Sequence, residues 1–160
     1  MDRNSFEVLG HIRPAEAKDL TALLGMIAAL AQHHGDVATV SLDTLARDVL
    51  GPRPWVRVLL AEHAGECIGY AALCPLAKIQ FGQRGMDLQH LFVVPKARRM
   101  GVGQALVRAS EAVAHRDGCT YLSVGTHPDN TEAHQIYPAL GFEILGSPGP
   151  RFGITIAPNA

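Results

Sequence analysis

Residues 98–105 read Arg98-Arg99-Met100-Gly101-Val102-Gly103-Gln104-Ala105. They follow an apolar segment that ends at Pro95 and precede apolar residues with the spacing of one helix face. Glycines at a helix start let backbone amides converge on a ligand without a Cβ in the way, and the unpaired N–H groups there attract an anion. Two arginines add positive charge. The stretch therefore predicts a strand-to-helix turn that binds phosphate or pyrophosphate.

The spacing of these glycines excludes two common nucleotide-binding motifs. A P-loop requires a lysine directly after its last glycine, and no lysine follows Gly103. A Rossmann fingerprint requires a third glycine where Leu106 stands. Taken alone, the two glycines are also typical of a tight turn that binds nothing.

Hydrophobic periodicity on either side predicts alternating strands and helices. Alternating or continuous apolar runs indicate strands over 8–13, 56–62, 66–79, 86–94, 119–126, 142–145 and 152–156. Spacings of three and four residues indicate helices over 15–34, 41–49, 101–117 and 130–140, with Ser41 as a helix cap. The order β-α-α-β-β-β-α-β-α-β-β predicts one mixed α/β domain over residues 1–160.

Composition restricts the class of protein. Of the 160 residues, 48% are hydrophobic and 18% are charged, which excludes a disordered chain. The formal charge of 14 − 15 = −1 gives no global attraction to nucleic acid or an anionic membrane. The longest apolar stretch, Leu20–Ala31, is too short for a bilayer, and Met1–Glu7 lacks the apolar core of a secretory signal. We therefore expect a cytoplasmic protein with neither nucleic acid nor membrane as a partner.

Cysteine and histidine usage gives no sign of a metal site. The three cysteines, Cys67, Cys74 and Cys119, form no Cys-x-x-Cys pair. The eight histidines include no His-Glu-x-x-His. We expect no metal and no disulfide framework.

A second group of spaced residues lies about 30 residues after the first. Asn130, Ala133 and Tyr137 stand at i, i+3 and i+7, so they share one face of the helix predicted there. Asp129 and Glu132 have the spacing of a capping box, which predicts where that helix begins.

Together the two segments resemble the GCN5-related N-acetyltransferase (GNAT) superfamily. Its acetyl-CoA motif, [Q/R]-x-x-G-x-[G/A], is matched by Arg98, Gly101 and Gly103, and its N-x-x-A-x-x-x-Y-x-x-L-G-F motif is matched from Asn130 to Phe142. The resemblance implies a mixed, mostly antiparallel sheet of about seven strands flanked by about four helices. It also implies that acetyl-CoA lies in a gap between the strands predicted over 86–94 and 119–126.

The resemblance implies a role for each motif residue. Backbone groups near Val93 would bind pantetheine and polarise the thioester carbonyl, while Tyr137 would protonate the departing thiolate. The amine would attack directly in a ternary complex, without a covalent enzyme intermediate. The residues expected to bind acetyl-CoA are Leu91, Phe92, Val93, Arg98, Arg99, Met100, Gly101, Val102, Gly103, Gln104, Asn130, Ala133 and Tyr137.

Within the superfamily, Ile12-Arg13-Pro14 and Leu88–Val93 resemble the diamine and thialysine acetyltransferase group. That group has L-E-D-[LF]-[FY]-V where this chain has Gln89 and His90, so two negative charges are missing and polyamines are expected to be poor acceptors. His90 is a candidate base, although strand alternation should point it away from Gln89; ordered water is an equal alternative. Residues expected to line the acceptor pocket are His33, His34, Asp36, Asp87 and Gln89.

Pro138 departs from the family pattern, and we interpret it as a local helix break that could displace the Tyr137 hydroxyl. The leading hypothesis is transfer of acetyl from acetyl-CoA to an amine of a small molecule or peptide. The alternative is a non-catalytic acyl-CoA-binding or sensor module with the same fold. Homodimer formation stays open.

Overall fold

The computed structural model describes residues 10–147 and 149–159. Contacts divide the chain into two compact units, with the boundary between Gly125 and Thr126. The prediction of a single domain over residues 1–160 stays a prediction.

The first unit is built on a five-stranded sheet in the order β1-β2-β3-β4-β5. Its first three pairings are antiparallel, and β4 and β5 run parallel. The strands are β1 (Gly10–Pro14), β2 (Arg57–His63), β3 (Glu66–Lys78), β4 (Gln83–Val93) and β5 (Tyr121–Val124). The helices of this unit are α1 (Leu20–His33), α2 (Leu42–Leu45) and α3 (Val102–Arg116). The second unit contains α4 (Thr131–Ala139).

Local sequence explains the connections that hold this order. Ala64 and Gly65 have φ of 50° and 78°, the left-handed conformation that a two-residue hairpin turn requires between β2 and β3. Ser41 caps α2 as predicted, because its hydroxyl accepts a hydrogen bond from Thr44 N at 3.2 Å. The backbone continues from α2 through a π-helical turn over Ala46–Leu50.

The central strand β3 is buried on both faces from Ile68 to Leu73. Tyr70 and Ala72 pack with α1 and α2 residues such as Leu23 and Leu45 in one apolar cluster. Gly69 faces the other way, and a Cβ there would lie 3.3 Å from the Leu106 side chain of α3. The sheet is therefore a layer between α1 and α2 on one face and α3 on the other.

The expected seven strands are a wrong prediction, since the described residues form five. Neither 142–145 nor 152–156 is a strand in the described part of the chain. Phe152, Ile154 and Ile156 are 95%, 90% and 86% exposed, so their alternation does not produce pairing. Short apolar runs form a stable hairpin only when they pack against more sheet. The described residues form four α-helices, which agrees with the predicted number.

The predicted first strand began at Val8, and residues 8 and 9 lie outside the described range. Among the helices that the structure describes, none combines the length and apolar character needed to cross a membrane.

Candidate functional site

The segment between β4 and α3 is shaped by two left-handed residues. Pro95–Ala97 forms a short 3-10 turn, and Arg99 and Gly101 then adopt φ of 65° and 83°. A positive φ is uncommon for a residue with a Cβ, so the loop holds Arg99 in a strained conformation. Gly101 is the residue that precedes the first turn of α3.

The first turn of α3 is open to a ligand. Gly101 supplies no side-chain cap, so the first backbone N–H groups of this 15-residue helix have no intrahelical partner. A Cβ at Gly101 would meet no heavy atom within 4 Å, and one at Gly103 would meet only Val93 Cγ2, at 3.8 Å. Donor groups, the helix dipole and free space therefore coincide at one point, which suits an anion.

Arg98 lies beside this turn, and its side chain already makes two contacts within the protein. Its Nε donates to the Val93 carbonyl oxygen at 3.0 Å, and its guanidinium lies 5.9 Å from the Phe92 ring centroid. The Phe92 side chain is buried in the apolar cluster.

β4 separates from β5 halfway along its length. Pairing runs from Gly85 with Tyr121 to Leu88 with Val124 and ends there. Beyond Leu88, the β5-facing edge of β4 has no partner strand among the described residues, while its other edge stays paired with β3 as far as Val93. Leu91 and Val93 therefore lie along an open strand edge that leads to the α3 turn.

A β-bulge corrects the predicted orientation of Gln89 and His90. Ala72 pairs with His90 and Leu73 with Leu88, so Gln89 is the extra residue. His90 contacts Tyr70, and Gln89 contacts Cys74 four residues further along β3. Residues i and i+4 of a strand share a face, so the two side chains lie on one face and not on opposite faces.

Polar side chains lie next to the bulge on the β3–β4–β5 surface. Asp87 Oδ1 accepts a hydrogen bond from Ser123 Oγ at 2.9 Å, and Gln89 Oε1 accepts one from Cys74 Sγ at 3.5 Å. The Tyr121 ring lies over Gly85, where a Cβ would come within 2.2 Å of its Cζ. Lys78 Nζ lies 4.4 Å from the centroid of that ring. We call Asp87, Gln89 and His90, with their partners Ser123, Cys74 and Tyr70, the acceptor face, after the acceptor pocket that the sequence predicts there.

The surroundings of His90 shift its pKa. Burial, and then the charge of nearby His34, lower the pKa of His90 below its usual value. The His34 ring also lies 5.7 Å from the His33 ring. No hydrogen bond or ion pair joins Asp36 to β4 in the part of the chain that the structure describes, so the predicted pocket residues are only partly brought together.

In the second unit, α4 begins one residue later than the predicted capping box implies. Asn130 is its cap, with Oδ1 accepting from Ala133 N at 3.1 Å, so Asp129 does not take that role. Pro138 lies inside the helix, which continues to Ala139. The expected break is therefore wrong. Pro138 lacks a backbone N–H, but it lies one residue before the end of the helix, so only the last turn loses a hydrogen bond.

Tyr137 belongs to this helix and packs its ring edge-on against Phe142, with centroids 5.3 Å apart. Burial raises the pKa of the Tyr137 hydroxyl, so it stays protonated at neutral pH. A hydroxyl in this state can donate a proton.

Other candidate sites contribute less. No group of three or more His, Cys, Asp and Glu side chains in the described ranges is arranged to hold a metal ion. A cavity of about 520 Å³ lies near Trp55, Arg57 and Met86 and contains none of the predicted site residues.

Sequence reasoning missed three residues of the acceptor face: Tyr70, Cys74 and Ser123. Each contacts its β4 partner across a pair of strands. The two residues of each contact lie too far apart in the sequence for a local motif to reveal them. The bulge at Gln89 decides the contacts of Tyr70 and Cys74, and single-sequence periodicity gives no signal for it.

Comparisons with known proteins identify relatives along most of the chain. The profile of the Acetyltransferase (GNAT) family matches residues 28–142. Aminoglycoside N(6')-acetyltransferase type 1 of Klebsiella aerogenes is 31% identical over 139 residues, covering 82% of this chain and 88% of that protein. Thialysine N-epsilon-acetyltransferase of Bos taurus is 27% identical over 143 residues, covering 84% of each.

Solved structures support the fold. An aminoglycoside acetyltransferase from an uncultured soil metagenomic sample, in complex with sisomicin, superposes with a TM-score of 0.77. That alignment covers 96% of this chain and 100% of the other at 14% identity, a level that is informative about fold alone.

Proposed function

The chain belongs to the acetyltransferase (GNAT) family, and from this premise we propose that it transfers the acetyl group of acetyl-CoA to an amine. The acceptor is a small molecule or peptide, and its amine attacks directly in a ternary complex. The observation that carries the proposal is the uncapped first turn of α3, with Gly101 facing open space beside the unpaired edge of β4.

The residues at this turn fit the pyrophosphate of a coenzyme A thioester. The backbone amides from Arg99 to Gln104 would hold it, with Arg98 and Arg99 adding positive charge. The open β4 edge at Leu91 and Val93 would pair with the amides of an extended pantetheine arm, as a further strand would. When bound, acetyl-CoA supplies the activated acetyl group.

The chain's own groups then serve the transfer. The Val93 amide is the candidate donor to the thioester oxygen as negative charge develops there. Tyr137, whose hydroxyl is protonated at neutral pH, is the candidate acid for the departing thiolate. Asn130 already caps α4, so we propose it as a residue that orients this helix, with Ala133 next to it.

Charge on the acceptor face favours a moderately cationic acceptor. Asp87 is the one carboxylate of the set Asp87, Gln89 and His90, and its Oδ1 is engaged by Ser123. The two relatives described above are named for aminoglycosides and thialysine, both of which carry primary amines, and this supports an amine as the nucleophile.

A panel of aminoglycosides, lysine analogues, amino acids and polyamines, assayed for CoA release, tests the proposal. We expect turnover with at least one non-polyamine amine. Spermidine should be a poor acceptor because Gln89 and His90 do not attract a polycation. Saturation by micromolar spermidine at an ordinary enzymatic rate would refute the acceptor argument, and binding of acetyl-CoA without turnover of any amine would favour the non-catalytic module.

A further inference from the structure

Tyr70 carries a buried hydroxyl group that has one hydrogen-bond partner. Its relative exposure is 0%, and its oxygen lies 3.0 Å from His90 Nδ1. Among residues 10–147 and 149–159, no other donor or acceptor bonds to this hydroxyl. With no exposed surface, Tyr70 has no access to bulk water either.

The protonation state of Tyr70 decides the direction of this hydrogen bond. Burial raises the pKa of Tyr70 well above its usual value, so the hydroxyl keeps its proton. A buried O–H that cannot donate is unfavourable, and the only acceptor within reach is the Nδ1 lone pair. Tyr70 therefore donates, and the proton of the neutral imidazole must lie on Nε2.

We infer that Tyr70 is a positioning residue that holds His90 in the neutral Nε2–H tautomer, so that His90 offers bound reactants a hydrogen-bond donor and does not accept the proton of the amine. This inference rests on the proposed function only for its catalytic consequence. The tautomer itself is a property of the free protein.

Protonation of His90 would disrupt the arrangement. A proton on Nδ1 would turn that nitrogen into a donor, and the Tyr70 hydrogen would then have no acceptor in the described structure. The other titratable group that faces His90 is His34, at the end of α1, and its charge acts in the same direction. On β4 itself, Asp87 lies three residues away and bonds to Ser123.

In this tautomer His90 cannot act as the base that deprotonates the amine. A base needs a lone pair directed at the amine. The Nδ1 lone pair of His90 is occupied by Tyr70, and Nε2 carries a hydrogen. Deprotonation of the acceptor amine is then left to ordered water, the alternative that the sequence left open.

Long-range ¹H–¹⁵N correlation spectra of the histidines, with His90 assigned by its loss in His90→Gln, test the tautomer without any substrate. In the wild type at pH 8 we expect the Nε2–H form. In Tyr70→Phe we expect a mixture of tautomers and a His90 pKa higher by about 0.5–1 unit, the size of one hydrogen bond. An Nδ1–H form in the wild type, or identical spectra in a folded Tyr70→Phe, would overturn the inference. If Tyr70→Phe does not fold, the wild-type spectrum decides alone.

The catalytic consequence has its own measurement, the pH dependence of kcat/KM with an amine found by the panel. In His90→Gln the rate should fall, while the midpoint of the acid limb stays where it is in the wild type. A displaced or missing acid limb would show that His90 takes the proton. A wild type that turns over no amine would reject the proposed function and leave the spectroscopic result standing.

Discussion

Arg13 joins two carboxylates from different elements at the edge of the core. Its Nη1 and Nη2 donate to the two oxygens of Asp19 at 2.7 and 2.9 Å, and its Nε donates to Glu62 at 3.1 Å. The Arg13 and Asp19 side chains are only 15% and 5% exposed, and Asp19 also accepts from Glu16 N at 2.8 Å. The hydrogen bond from Arg13 lowers the pKa of Asp19 to about 2.

Asp19→Asn should lower the free energy of unfolding at pH 7 by about 3 kcal/mol, because it leaves a buried guanidinium without its main partner. The folded pKa of Asp19 lies below the unfolded value of 3.8, so its stabilisation is complete above that value and is lost as the pH falls towards 2. Denaturant unfolding at several pH values measures both effects.

Asp19 contributes about 2 kcal/mol to the free energy of unfolding that the wild type loses at low pH, and Asp19→Asn should lack this contribution. Glu66→Gln is the matched control, since the Glu66 side chain is 65% exposed and its pair with Lys96 lies at the surface. Its effect should stay within about 0.5 kcal/mol. Equal effects of the two substitutions would contradict the account of this cluster.

Tyr137→Phe should lower kcat by roughly 10–10³ with little change in acetyl-CoA affinity, because the proton is needed when the C–S bond breaks and not when the donor binds. The ring contact with Phe142 survives the substitution, which separates the acid role from packing. Steady-state kinetics and calorimetric titration with acetyl-CoA give the two quantities. An unchanged kcat, with chemistry shown to limit the rate, would remove Tyr137 from the catalytic residues.

At the scale of elements, α3 carries the candidate cofactor site at its first turn and packs against the sheet along its length. Val102, Leu106, Val107 and Val113 are buried along one side, and Ser110 satisfies its buried hydroxyl by donating to the Leu106 carbonyl at 2.8 Å. Glycines in the left-handed conformation flank the helix, Gly101 before it and Gly118 after it, with φ of 83° and 76°. Both ends of α3 therefore require a residue in the left-handed conformation, but only the Gly101 end is a candidate binding site.

Gly101→Val should abolish acetyl-CoA binding, whereas Gly118→Val should leave the dissociation constant within about twofold. Neither new side chain meets a heavy atom within 4 Å at its Cβ, and each forces a β-branched residue into a left-handed conformation at a cost of about 1–3 kcal/mol. Calorimetric titration of the two folded variants gives the comparison. Equal loss of binding in both would mean that strain, and not obstruction of the α3 turn, is responsible.

At the scale of the whole molecule, the site depends on where the sheet stops pairing. β3 pairs with β4 from Lys78 and Gln83 to Gly69 and Val93, whereas β5 pairs with β4 over only four residues. This difference in length leaves the β4 edge open next to α3. Because the opening is made by a folded sheet, ligand binding there stabilises the folded chain as a whole.

Acetyl-CoA at 100 times its dissociation constant should stabilise the protein by about 2.7 kcal/mol. For a chain of 160 residues this corresponds to a rise in Tm of roughly 5–10 °C. Acetyl-pantetheine at the same concentration, which lacks the pyrophosphate, should give a much smaller shift. Thermal denaturation makes the measurement, and no shift at millimolar acetyl-CoA would reject the assignment of the α3 turn.

Local spacing in the sequence was enough to predict the parts of the protein that depend on near neighbours. The Gly101 turn, the start of α3 and the Ser41 cap each need only a few consecutive residues, so their signals are present in short windows. The two motif segments were enough to predict the family, since their residues keep fixed spacings.

The tertiary structure decided whatever depends on strand pairing. The bulge at Gln89, the 20-residue separation of Tyr70 from His90 and the 49-residue separation of Arg13 from Glu62 arise only after the strands have chosen a register. Alternation in Phe152–Ile156 predicted a strand, but alternation describes a face and cannot supply the neighbour that satisfies the backbone. The state of His90 is decided in the same way, because the proton on its ring is directed by a hydroxyl on another strand.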